Sequence, residues 1–497
     1  MQLGPLCPRA YDAPAMKPAP RRTKILATIG PASESEPVLR AMIAAGMDAA
    51  RLNLSHGTVE EALAIHARIR GIAEDMGRPV GTLVDLPGPK IRAASFGRDG
   101  VDIVDGQRVR LVPGNDRSTA QTVEVDYPGL LDGIEVGDRI AFGDGAIDIE
   151  VVGTHADHLE AIVSHGGRLT GRPGVHIPSE RLRISTPTPD DLRILDAFVG
   201  AGVDMVAISF VRTAHDVRRL FTEPHPRGPL VVAKIETRSA VDNLAGILDA
   251  AGAVMIARGD LGIECPIEEL PHLQKHIIRE CIAHGRPAIT ATQMLESMVQ
   301  APTPTRAEAS DVANAVFDGS SAVMLSGETA MGADPVRVVE TMARLCERAD
   351  ANFDVEGWTR LVTRLRVNAP EGRAGRYQRI TDTMTDAAWR VAHEVGANAI
   401  LCLTRTGFTV RAIARYRPTT PILGFTPDER VRRQLSVSWG ATPMTLSGFA
   451  DNEAMVREAV QTARTEGHVR PGDVVVVLAG ADGRSSTTDV LRVIQVT

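Results

Sequence analysis

Short runs of apolar residues recur along the chain, and each run ends in polar residues that are followed by a stretch with helical spacing. Eight such runs show little alternation and occupy residues 25–30, 49–55, 80–86, 204–211, 230–236, 253–258, 287–292 and 322–326. Such runs are typical of parallel strands buried on both faces. Eight strand–helix units predict an α/β protein built on a closed (β/α)8, or TIM, barrel, with an open doubly wound sheet as the alternative.

The first helix is predicted from the residues at its ends. Ser33 and Glu36 have the spacing of a capping box, and Gly46 follows the helical pattern as a stop. Apolar residues recur at helical spacing between them, at Val38, Leu39, Met42 and Ile43. We therefore expect a helix that begins at Ser33 and ends before Gly46.

The third strand–helix unit is interrupted by a stretch in which apolar and polar residues alternate. Alternation covers residues 109–112, 122–125 and 147–150, and turn-forming sequences separate these runs. The pattern predicts a small all-β domain, a small β-barrel of residues 93–186, inserted in a loop of the large barrel. A domain inserted there lies beside the carboxyl-terminal mouth of the barrel and can act as a lid that excludes water.

A fresh strand–helix pattern begins after a polar, Arg-rich passage that follows Asp350. The chain of 497 residues is also long enough for about three domains. We expect a flexible segment over residues 1–22, a catalytic barrel over residues 23–92 and 187–350, the lid over residues 93–186, and a C-terminal α/β regulatory domain over residues 351–497. The periodic pattern begins only at Lys24, which makes Met16 an alternative start.

Composition and charge narrow the class of protein. The net charge of −7 and the pI near 6.0 argue against nucleic acid or an anionic membrane as a partner. No apolar run reaches the ~18 residues of a membrane span, and residues 1–22 lack the apolar core of a signal peptide. The five cysteines are far apart, as expected for free thiols in a reducing cytosol. We therefore expect a cytoplasmic protein.

Polar residues at the ends of barrel strands are the first candidates for chemistry, because barrel active sites lie at that face. Arg51, Asn53 and Ser55 alternate along one strand and therefore face the same way. A solvated edge strand is the alternative, but Leu52 and Leu54 require burial on the opposite face.

A second group of strand-end residues can hold a metal and an anion. Lys234 and Glu236 share a face of one strand, and Glu236 and Asp260 can bring two carboxylates to Mg²⁺ or Mn²⁺. The alternative is a Lys–carboxylate ion pair that plugs the barrel. Gly259 lets the backbone approach an anion, and Thr292 adds a hydroxyl, although a Thr there is also a common helix cap. This set fits phosphoryl transfer or enolate chemistry and does not choose between them.

Seven segments that run through nearly the whole chain resemble the pyruvate kinase family. They are RTKILATIGPAS (22–33), ARLNLSHG (50–57), DMVAISFVR (204–212), KIE (234–236), VMIARGDLGIE (254–264), TATQMLESM (290–298) and PTRAEASDVANAVFDGSSAVMLSGETA (304–330). The resemblance implies a Mg²⁺-dependent phosphotransferase that moves the phosphoryl group of phosphoenolpyruvate to ADP, giving pyruvate and ATP in the last step of glycolysis.

The resemblance also assigns roles to the strand-end residues. Arg51 is expected to bind the transferring phosphoryl group, and Lys234 is expected to neutralise charge on that group and on the developing enolate. Glu236 and Asp260 are expected to hold Mg²⁺. Backbone N–H groups near Gly259 and Asp260 are expected to receive the substrate carboxylate.

Further residues are assigned to proton transfer and to the nucleotide by the same resemblance. Thr292 helps to receive the carboxylate and lies where a proton reaches the enolate through water. His56 and Arg92, with Ser209, are expected around the nucleotide and its phosphates, and a second divalent ion accompanies ADP. Residues 172–175 are Arg-Pro-Gly-Val where the family often has Lys-Lys-Gly-Val, which puts nucleotide affinity in doubt.

The resemblance bears on monovalent cations as well. Many family members hold K⁺ at positions that match Asn53, Ser55, Asp85 and the backbone of Leu86, and they carry an acid where this chain has Lys90. Members with Lys there form a K⁺-independent group. A fixed ammonium can supply the positive charge of the ion, so we expect that K⁺ is not required; a solvated loop Lys is the alternative.

The C-terminal domain contains a candidate effector site. Hydroxyls, a glycine and a helix start follow one another at Thr404, Arg405, Thr406, Gly407 and Thr409. This stretch suits a phosphate, and it resembles the family's allosteric pocket for a sugar phosphate or AMP, although ordinary helix capping is the alternative. Residues 480–486 could close over the ligand. The family is usually tetrameric, so a homotetramer is expected.

Two other functions share some of these features. A metal-dependent carbon–carbon lyase or aldolase on a similar barrel also uses carboxylates, Mg²⁺ and pyruvate enolate. The inserted lid and the pair of Arg51 and Lys234 argue against it. A non-catalytic homologue that only binds sugar phosphate predicts loss of Lys234 or of the metal carboxylates, and all of these residues are present.

Overall fold

The structure is a computed structural model, and it describes residues 21–143, 145, 147–365, 373–448, 451–480 and 488–497. Only Arg21 and Arg22 of the segment predicted to be flexible fall within these ranges. Arg21 Nη1 donates to Asp48 at 2.7 Å, and the backbone N–H of Arg22 donates to Asp350 at 2.8 Å. These two residues are therefore held by the folded chain.

Strands occur in all three parts of the chain. In chain order they are β1 (Lys24–Ile29), β2 (Ala49–Asn53), β3 (Gly81–Asp85), β4 (Val101–Ile103), β5 (Arg108–Pro113), β6 (Thr122–Val125), β7 (Arg139–Phe142), β8 (Ile147–Thr154), β9 (Leu159–His165), β10 (Gly167–Leu169), β11 (Val175–His176), β12 (Met205–Ile208), β13 (Leu230–Ile235), β14 (Ala253–Ala257), β15 (Ala288–Ala291), β16 (Ala322–Leu325), β17 (Ala399–Leu403), β18 (Ile422–Thr426), β19 (Ala441–Thr445), β20 (Val474–Ala479) and β21 (Val490–Gln495).

Helices alternate with the barrel strands and return after β16. In chain order they are α1 (Glu36–Ala45), α2 (Val59–Asp75), α3 (Pro189–Gly200), α4 (Ala214–Arg218), α5 (Arg238–Asp242), α6 (Leu244–Ala250), α7 (Arg258–Glu264), α8 (Leu270–Ala283), α9 (Arg306–Asp318), α10 (Gly327–Ala330), α11 (Pro335–Ala351), α12 (Val355–Arg364), α13 (Arg373–Glu394), α14 (Phe408–Ala414), α15 (Glu429–Gln434) and α16 (Asn452–Thr465). Short 3₁₀ helices cover Ser179–Arg181, Glu296–Val299 and Leu435–Val437.

Eight parallel strands close into a barrel in the order β1-β2-β3-β12-β13-β14-β15-β16. Each of them coincides with one of the eight apolar runs, because strands covered by helices outside and by side chains inside must be apolar on both faces. The (β/α)8 prediction is confirmed, and the open doubly wound alternative is wrong.

The interior of the barrel is filled by an apolar cluster of its own. Its buried members are Leu26, Ala49, Leu83, Met205, Ala207, Leu230, Val232, Ala253, Met255, Ile289, Ala291, Ala322, Met324 and Val437. The last of these comes from the 3₁₀ helix Leu435–Val437 rather than from a barrel strand. The carboxyl-terminal ends of the strands remain available for polar side chains.

Helix α1 begins later than predicted. It starts at Glu36 with Ser35 as its N-cap. Ser33 lies in the preceding turn, where its hydroxyl accepts a hydrogen bond from the N–H of Gly30 at 3.1 Å. The capping box at Ser33 is therefore wrong, because this turn uses the hydroxyl first. Gly46 ends the helix as predicted, with a φ of 119° that glycine adopts without the steric cost of a Cβ.

The insertion between β3 and α3 is built of β-strands, as predicted, apart from the short 3₁₀ helix Ser179–Arg181. It contains a six-stranded sheet in the order β11-β7-β8-β9-β5-β6 and a two-stranded ribbon of β10 and β4. Alternate side chains of these strands point into a separate apolar core, which explains the period of two in the sequence.

The C-terminal part forms an α/β domain, as predicted. Its five strands follow the order β19-β18-β17-β20-β21, and only β21 is antiparallel to its neighbour. The domain packs against the amino-terminal end of the barrel. Buried Asp204 there accepts hydrogen bonds from Arg70 and Arg433, each at 2.8 Å, and Gln434 donates to the Asp204 carbonyl at 3.0 Å.

Free cysteine thiols and the absence of a membrane span are expected from the sequence, and of the five cysteines Cys7 lies outside the described residues. Cys265, Cys281, Cys346 and Cys402 are buried free thiols. Within the described ranges, no helix has the length and apolar character needed to cross a membrane.

Candidate active site

Arg51, Asp85 and Lys234 meet at the carboxyl-terminal ends of β2, β3 and β13. Arg51 Nε donates to Asp85 Oδ2 at 2.7 Å, and Arg51 Nη1 donates to Thr28 Oγ1 at 3.0 Å. Lys234 Nζ lies 3.4 Å from Asp85 Oδ1. Each of the three residues is at most 9% exposed. The carboxylate of Asp85 therefore lies between the two cations that the sequence singles out.

Glu236 follows β13 and completes the surroundings of Lys234. Lys234 Nζ lies 2.7 Å from Glu236 Oε1 and donates to Ser209 Oγ at 2.7 Å. The backbone N–H of Phe210 donates to Glu236 Oε2 at 2.7 Å. Ser209 in turn donates to the Leu86 carbonyl at 2.8 Å. Lys234 and Glu236 thus meet as their two-residue spacing predicts, and Ser209 lies with Lys234.

Burial and charge oppose each other at these groups. Burial lowers the pKa of Lys234, but Asp85 and Glu236 outweigh it and hold the pKa above its usual value. Burial raises the pKa of Asp85, but Lys234 and Arg51 outweigh it and hold that pKa low. The pKa of Glu236 stays raised, because burial and the charge of Asp260 exceed the effect of Lys234. Lys234 is therefore a fixed cation. A further cation beside Glu236 would be needed to stabilise its ionised carboxylate.

Asp260 lies in the first turn of α7, directly after β14. His176 Nε2, in β11 of the lid, is 3.2 Å from Asp260 Oδ1. Burial raises the pKa of Asp260, but the hydrogen bond from His176 and the charge of Lys234 outweigh this effect and lower the pKa below its usual range. A second contact also joins the end of the lid to α7. The Glu264 carboxylate accepts hydrogen bonds from the Ser179 N–H at 2.9 Å and from the Ser179 hydroxyl at 2.8 Å. These bonds hold the lid against the barrel mouth.

Glu236 and Asp260 fit a hard divalent cation. Their repulsion contributes to the raised pKa of Glu236, and a cation between them would relieve it. Mg²⁺ commonly takes one or two carboxylates and completes its octahedron with water and substrate oxygens. The pair therefore suits a metal that is shared with a substrate.

Thr292 follows β15 in an unusual backbone conformation. Its φ is 64° and that of Gln293 is 55°, which is rare for residues with a Cβ and rarer for a β-branched one. Arg258 holds the segment: its Nη2 donates to the Thr292 carbonyl at 2.6 Å, and its Nη1 pairs with Asp311 at 2.7 Å. The Thr292 hydroxyl accepts the N–H of Gly259 at 2.9 Å. Thr292 and the predicted anion-binding backbone are thus brought together.

The residues of the predicted monovalent-cation region lie beside this group. The Asn53 side-chain oxygen accepts the backbone N–H of Ser55 at 3.2 Å. Ser55 lies beyond the end of β2, so the alternation along that strand stops at Asn53. Asp85 and the Leu86 carbonyl already bind Arg51 and the Ser209 hydroxyl respectively.

The predicted nucleotide-binding residues lie on the lid side of the mouth. His56 and Lys90 are both exposed. The His56 ring is nonetheless partly desolvated by its neighbours, and this effect, followed by the charges of Lys90, Arg92 and Arg51, lowers the pKa of His56. Arg92 Nη1 donates to the Arg172 carbonyl at 3.0 Å. Four basic side chains therefore share one region.

The Arg-Pro-Gly-Val segment of the lid runs beside Arg92. The backbone N–H of Ala93 donates to the Pro173 carbonyl at 2.9 Å. The Arg172 side chain pairs with Asp126 inside the lid at 3.0 Å. Arg172 is thus engaged within the lid in this structure.

The candidate effector loop forms a tight turn between β17 and α14. The Gly407 N–H donates to the Thr404 hydroxyl at 2.9 Å, and the φ of Gly407 is 74°. The Thr406 hydroxyl accepts the N–H of Phe408 at 3.3 Å. Of the predicted residues, Thr404, Gly407 and Thr409 are buried, Thr406 is half-buried and Arg405 is exposed. The second predicted loop lies outside the described residues except for Gly480.

Two residues of the site were missed by sequence reasoning. His176 lies in an alternating β stretch, and nothing in the sequence marks its pairing with Asp260 across 84 positions. Arg258 stands beside Gly259 at a strand end, and a charged residue directly after an apolar run was the available signal. Its carboxylate partner, Asp311, lies in α9.

The fold and this mouth define a barrel enzyme that acts on an anionic substrate. Residues 20–339 match the pyruvate kinase barrel domain, and residues 382–494 match the pyruvate kinase alpha/beta domain. The pyruvate kinase of Bacillus licheniformis is 38% identical over 482 residues, which are 95% of this chain and 80% of the relative. That of Clostridium acetobutylicum is 34% identical over 478 residues, covering 95% of this chain and 99% of the relative.

A solved structure agrees with these relatives. A crystal structure of a pyruvate kinase from Cryptosporidium parvum matches with a TM-score of 0.87 at 30% identity, covering 96% of each chain. This chain therefore belongs to the pyruvate kinase family and is a phosphotransferase.

Proposed function

We propose that this chain transfers the phosphoryl group of phosphoenolpyruvate to ADP, giving pyruvate and ATP in the last step of glycolysis. The observation that carries the proposal is the contact of Lys234 with both Asp85 and Glu236, beside Arg51 and Asp260. Its relatives are named pyruvate kinases. A carbon–carbon lyase would share the carboxylates and the metal, but it has no migrating phosphoryl group for two fixed cations to neutralise.

The first step is an in-line displacement at phosphorus. A terminal phosphate oxygen of ADP attacks, and the bond from phosphorus to the enol oxygen breaks. Arg51 and Lys234 neutralise the charge of the transferring group. When bound, Mg²⁺ held by Glu236 and Asp260 supplies further neutralisation of that charge. Asp85 already fixes both cations, so they need little reorganisation during the reaction.

The second step is protonation of the enolate at carbon, which yields pyruvate. Lys234 stays beside the enolate oxygen. We assign delivery of the proton, through water, to the Thr292 hydroxyl, which must first release the Ala291 carbonyl to which it donates at 2.7 Å. The N–H groups at Gly259 and Asp260 receive the substrate carboxylate, which requires the Gly259 N–H to exchange its Thr292 partner for the substrate.

Activity without K⁺ is part of the proposal. The charge of Lys90 contributes, after burial, to the lowered pKa of His56, together with Arg92 and Arg51, so its ammonium acts on the same region. The permanent positive charge of Lys90 replaces the charge that a bound monovalent cation would supply to this region. The Leu86 carbonyl, which is a candidate ligand for a monovalent cation, instead accepts a hydrogen bond from the Ser209 hydroxyl.

Regulation and assembly are also part of the proposal. A phosphorylated effector, a sugar phosphate or AMP, would bind the turn over residues 404–409, whose hydroxyls and backbone N–H groups suit an oxyanion. Assembly as a homotetramer and a cytoplasmic location rest on resemblance and composition. We also propose that the domains have the predicted bounds, which fall between β3 and β4, between β11 and α3, and at the last residue of α11.

A coupled assay tests the function directly. Purified protein is mixed with phosphoenolpyruvate, ADP and Mg²⁺, and pyruvate is followed by its reduction with lactate dehydrogenase and NADH. We expect rapid pyruvate formation that requires ADP and yields an equal amount of ATP. Absence of turnover in this assay, with metal-dependent cleavage of a hydroxy-oxo acid to pyruvate, would replace the proposal with the lyase.

A further inference from the structure

A small cavity lies between the barrel and the C-terminal domain, beside the amino-terminal end of β15. Its volume of about 20 Å³ is room for one water or one small ion. Its lining includes four arginines, namely Arg286 from the barrel and Arg411, Arg415 and Arg417 from the C-terminal domain. It is therefore unusually rich in positive charge for a buried space.

Three of the four arginines have partners that account for their burial. Arg417 donates to the carbonyls of Val316 and Ser320 and lies over aromatic rings. Arg415 pairs with Asp382 at 2.7 Å. Arg286 donates to a backbone carbonyl at 3.1 Å, and the charge of a neighbouring Asp partly offsets its burial. Arg415 Nε has no hydrogen-bond partner among the described residues, but each of these three arginines has an acidic side chain that offsets its charge.

Arg411 is the exception. It is 3% exposed, and its Nη2 donates to the Thr406 carbonyl at 2.8 Å. Among the described residues, its Nε and Nη1 have no hydrogen-bond partner. Burial and the charge of Arg286 lower its pKa to about 9, which leaves the guanidinium protonated at neutral pH. A buried charge is costly without a counter-charge.

Among the residues that the structure places, none near Arg411 supplies a compensating negative charge. His225 lies near it, and burial with the charges of Arg411 and Arg286 lowers the pKa of His225 to about 3, so its ring is neutral. No ion pair joins Arg411 to any residue that the structure places. The described residues therefore leave the counter-charge of Arg411 to be supplied by another group, and the cavity beside it has room for an anion.

We propose that this cavity binds one small inorganic anion, which supplies the counter-charge of Arg411 and joins the barrel to the C-terminal domain. Guanidinium groups bind oxyanions and halides through charge-assisted hydrogen bonds. The anion would also support the turn over residues 404–409, because Arg411 Nη2 holds the Thr406 carbonyl and Arg411 Nη1 lies against Gly407. The site is separate from the barrel mouth and does not depend on the reaction proposed above.

Bromide is the first probe, because its anomalous scattering distinguishes it from water. Crystals of the full chain grown with gluconate as the only added anion are soaked in sodium bromide, and a parallel set is soaked in phosphate. We expect density within hydrogen-bond distance of Arg411 in the cavity. A peak with bromide only defines a halide site, and a peak with phosphate defines an oxyanion site. An empty or water-filled cavity in both soaks overturns the proposal.

Stability in solution provides a second, independent readout. The melting temperature is measured against sodium bromide and sodium phosphate, with sodium gluconate at matched ionic strength as the reference, since bound ligand stabilises the folded state in a saturable manner. We expect a saturable rise for wild type and none for Arg411→Met, which should itself fold because it removes an unpaired charge. Arg390→Met, an exposed control, should respond as wild type does. An equal response in Arg411→Met would contradict the proposal.

Discussion

Asp85 accepts a hydrogen bond from Arg51 Nε at 2.7 Å between neighbouring barrel strands, and both side chains are nearly excluded from solvent. Its other carboxylate oxygen faces Lys234 at 3.4 Å and has no hydrogen-bond partner among the described residues. One acid thus shares its charge between the two cations of the site. Their positions depend on it, although neither is next to it in sequence.

The Asp85→Asn substitution keeps the size of the side chain and removes this shared charge. We expect kcat to fall by about 100-fold, because fixed cations contribute on this scale when they are correctly placed. Steady-state kinetics measures the effect. Asp48→Asn is a matched control, because Asp48 also serves two cations, Arg21 and Lys24, at the opposite end of the barrel. An equal loss of kcat in both variants would contradict a specific role for Asp85.

The Lys234→Met substitution tests charge neutralisation at the reacting atoms. We expect a loss of kcat of about 1,000-fold or more with phosphoenolpyruvate binding retained, because this charge matters most in the transition state. Kinetics and a direct binding titration measure the two quantities. Lys275→Met, which removes a cation paired with Asp318, is the control and should keep its kcat. A Lys234→Met enzyme with wild-type turnover would refute the assigned role.

The carboxylate pair is tested through metal affinity. Glu236→Gln and Asp260→Asn should each raise the Mg²⁺ concentration needed for half-maximal activity by about 10-fold or more, because a carboxylate ligand is lost. Binding of Mn²⁺, followed by electron paramagnetic resonance, should weaken in parallel. Glu264→Gln, on the same helix as Asp260, is the control, since Glu264 bonds to Ser179 instead. Unchanged metal affinity in both ligand variants would exclude this site.

The proposed role of Lys90 predicts how the enzyme responds to monovalent cations. Wild type should be fully active in Na⁺-only or Tris buffer, without K⁺ or NH₄⁺. The Lys90→Glu variant should be poorly active there and should recover on addition of K⁺, because the variant needs an external cation. Activity measured across K⁺ concentrations decides the question. A wild-type enzyme that is nearly inactive until K⁺ is added would show the idea to be wrong.

The ion pairs of Asp48 predict how the free energy of unfolding changes in acid. Burial raises the pKa of Asp48, but the charges of Arg21 and Lys24 outweigh this effect and lower the pKa below its usual value. A depressed pKa stabilises the folded state above the unfolded-state pKa of about 3.9, and this contribution is lost as pH falls through the lower folded-state value. Asp48→Asn should therefore reduce the free energy of unfolding by about 3 kcal/mol at pH 7. In urea titrations, the difference in free energy of unfolding between wild type and Asp48→Asn should shrink below about pH 4. A difference that stays constant with pH would contradict this prediction.

The barrel could be predicted from the sequence because its strands are buried on both faces. Each strand then appears as an uninterrupted apolar run, and eight runs with helices between them match few other folds. The start of α1 could not be placed in the same way. Ser33 has the spacing of a cap, but its hydroxyl is used by the turn at Gly30, and only three-dimensional geometry decides between the two partners.

The site was predictable as far as its members lie close in sequence. Lys234 and Glu236 share a strand, so their contact follows from the period of two. The bond from His176 to Asp260 joins the lid to the barrel, and no local pattern announces it. The positive φ of Thr292 was equally hidden, because surrounding packing imposes such a conformation on a residue that does not favour it alone.

Val437 belongs to the cluster that fills the barrel, although it comes from beyond the catalytic segment. The innermost layer at the amino-terminal end is therefore completed by a residue of another domain. Cutting the chain after α11 would remove the 3₁₀ helix Leu435–Val437 from its place against β1 and β3 and leave a hole that water or a partner must fill. The catalytic and C-terminal parts should consequently melt in one cooperative transition, and an isolated barrel should aggregate.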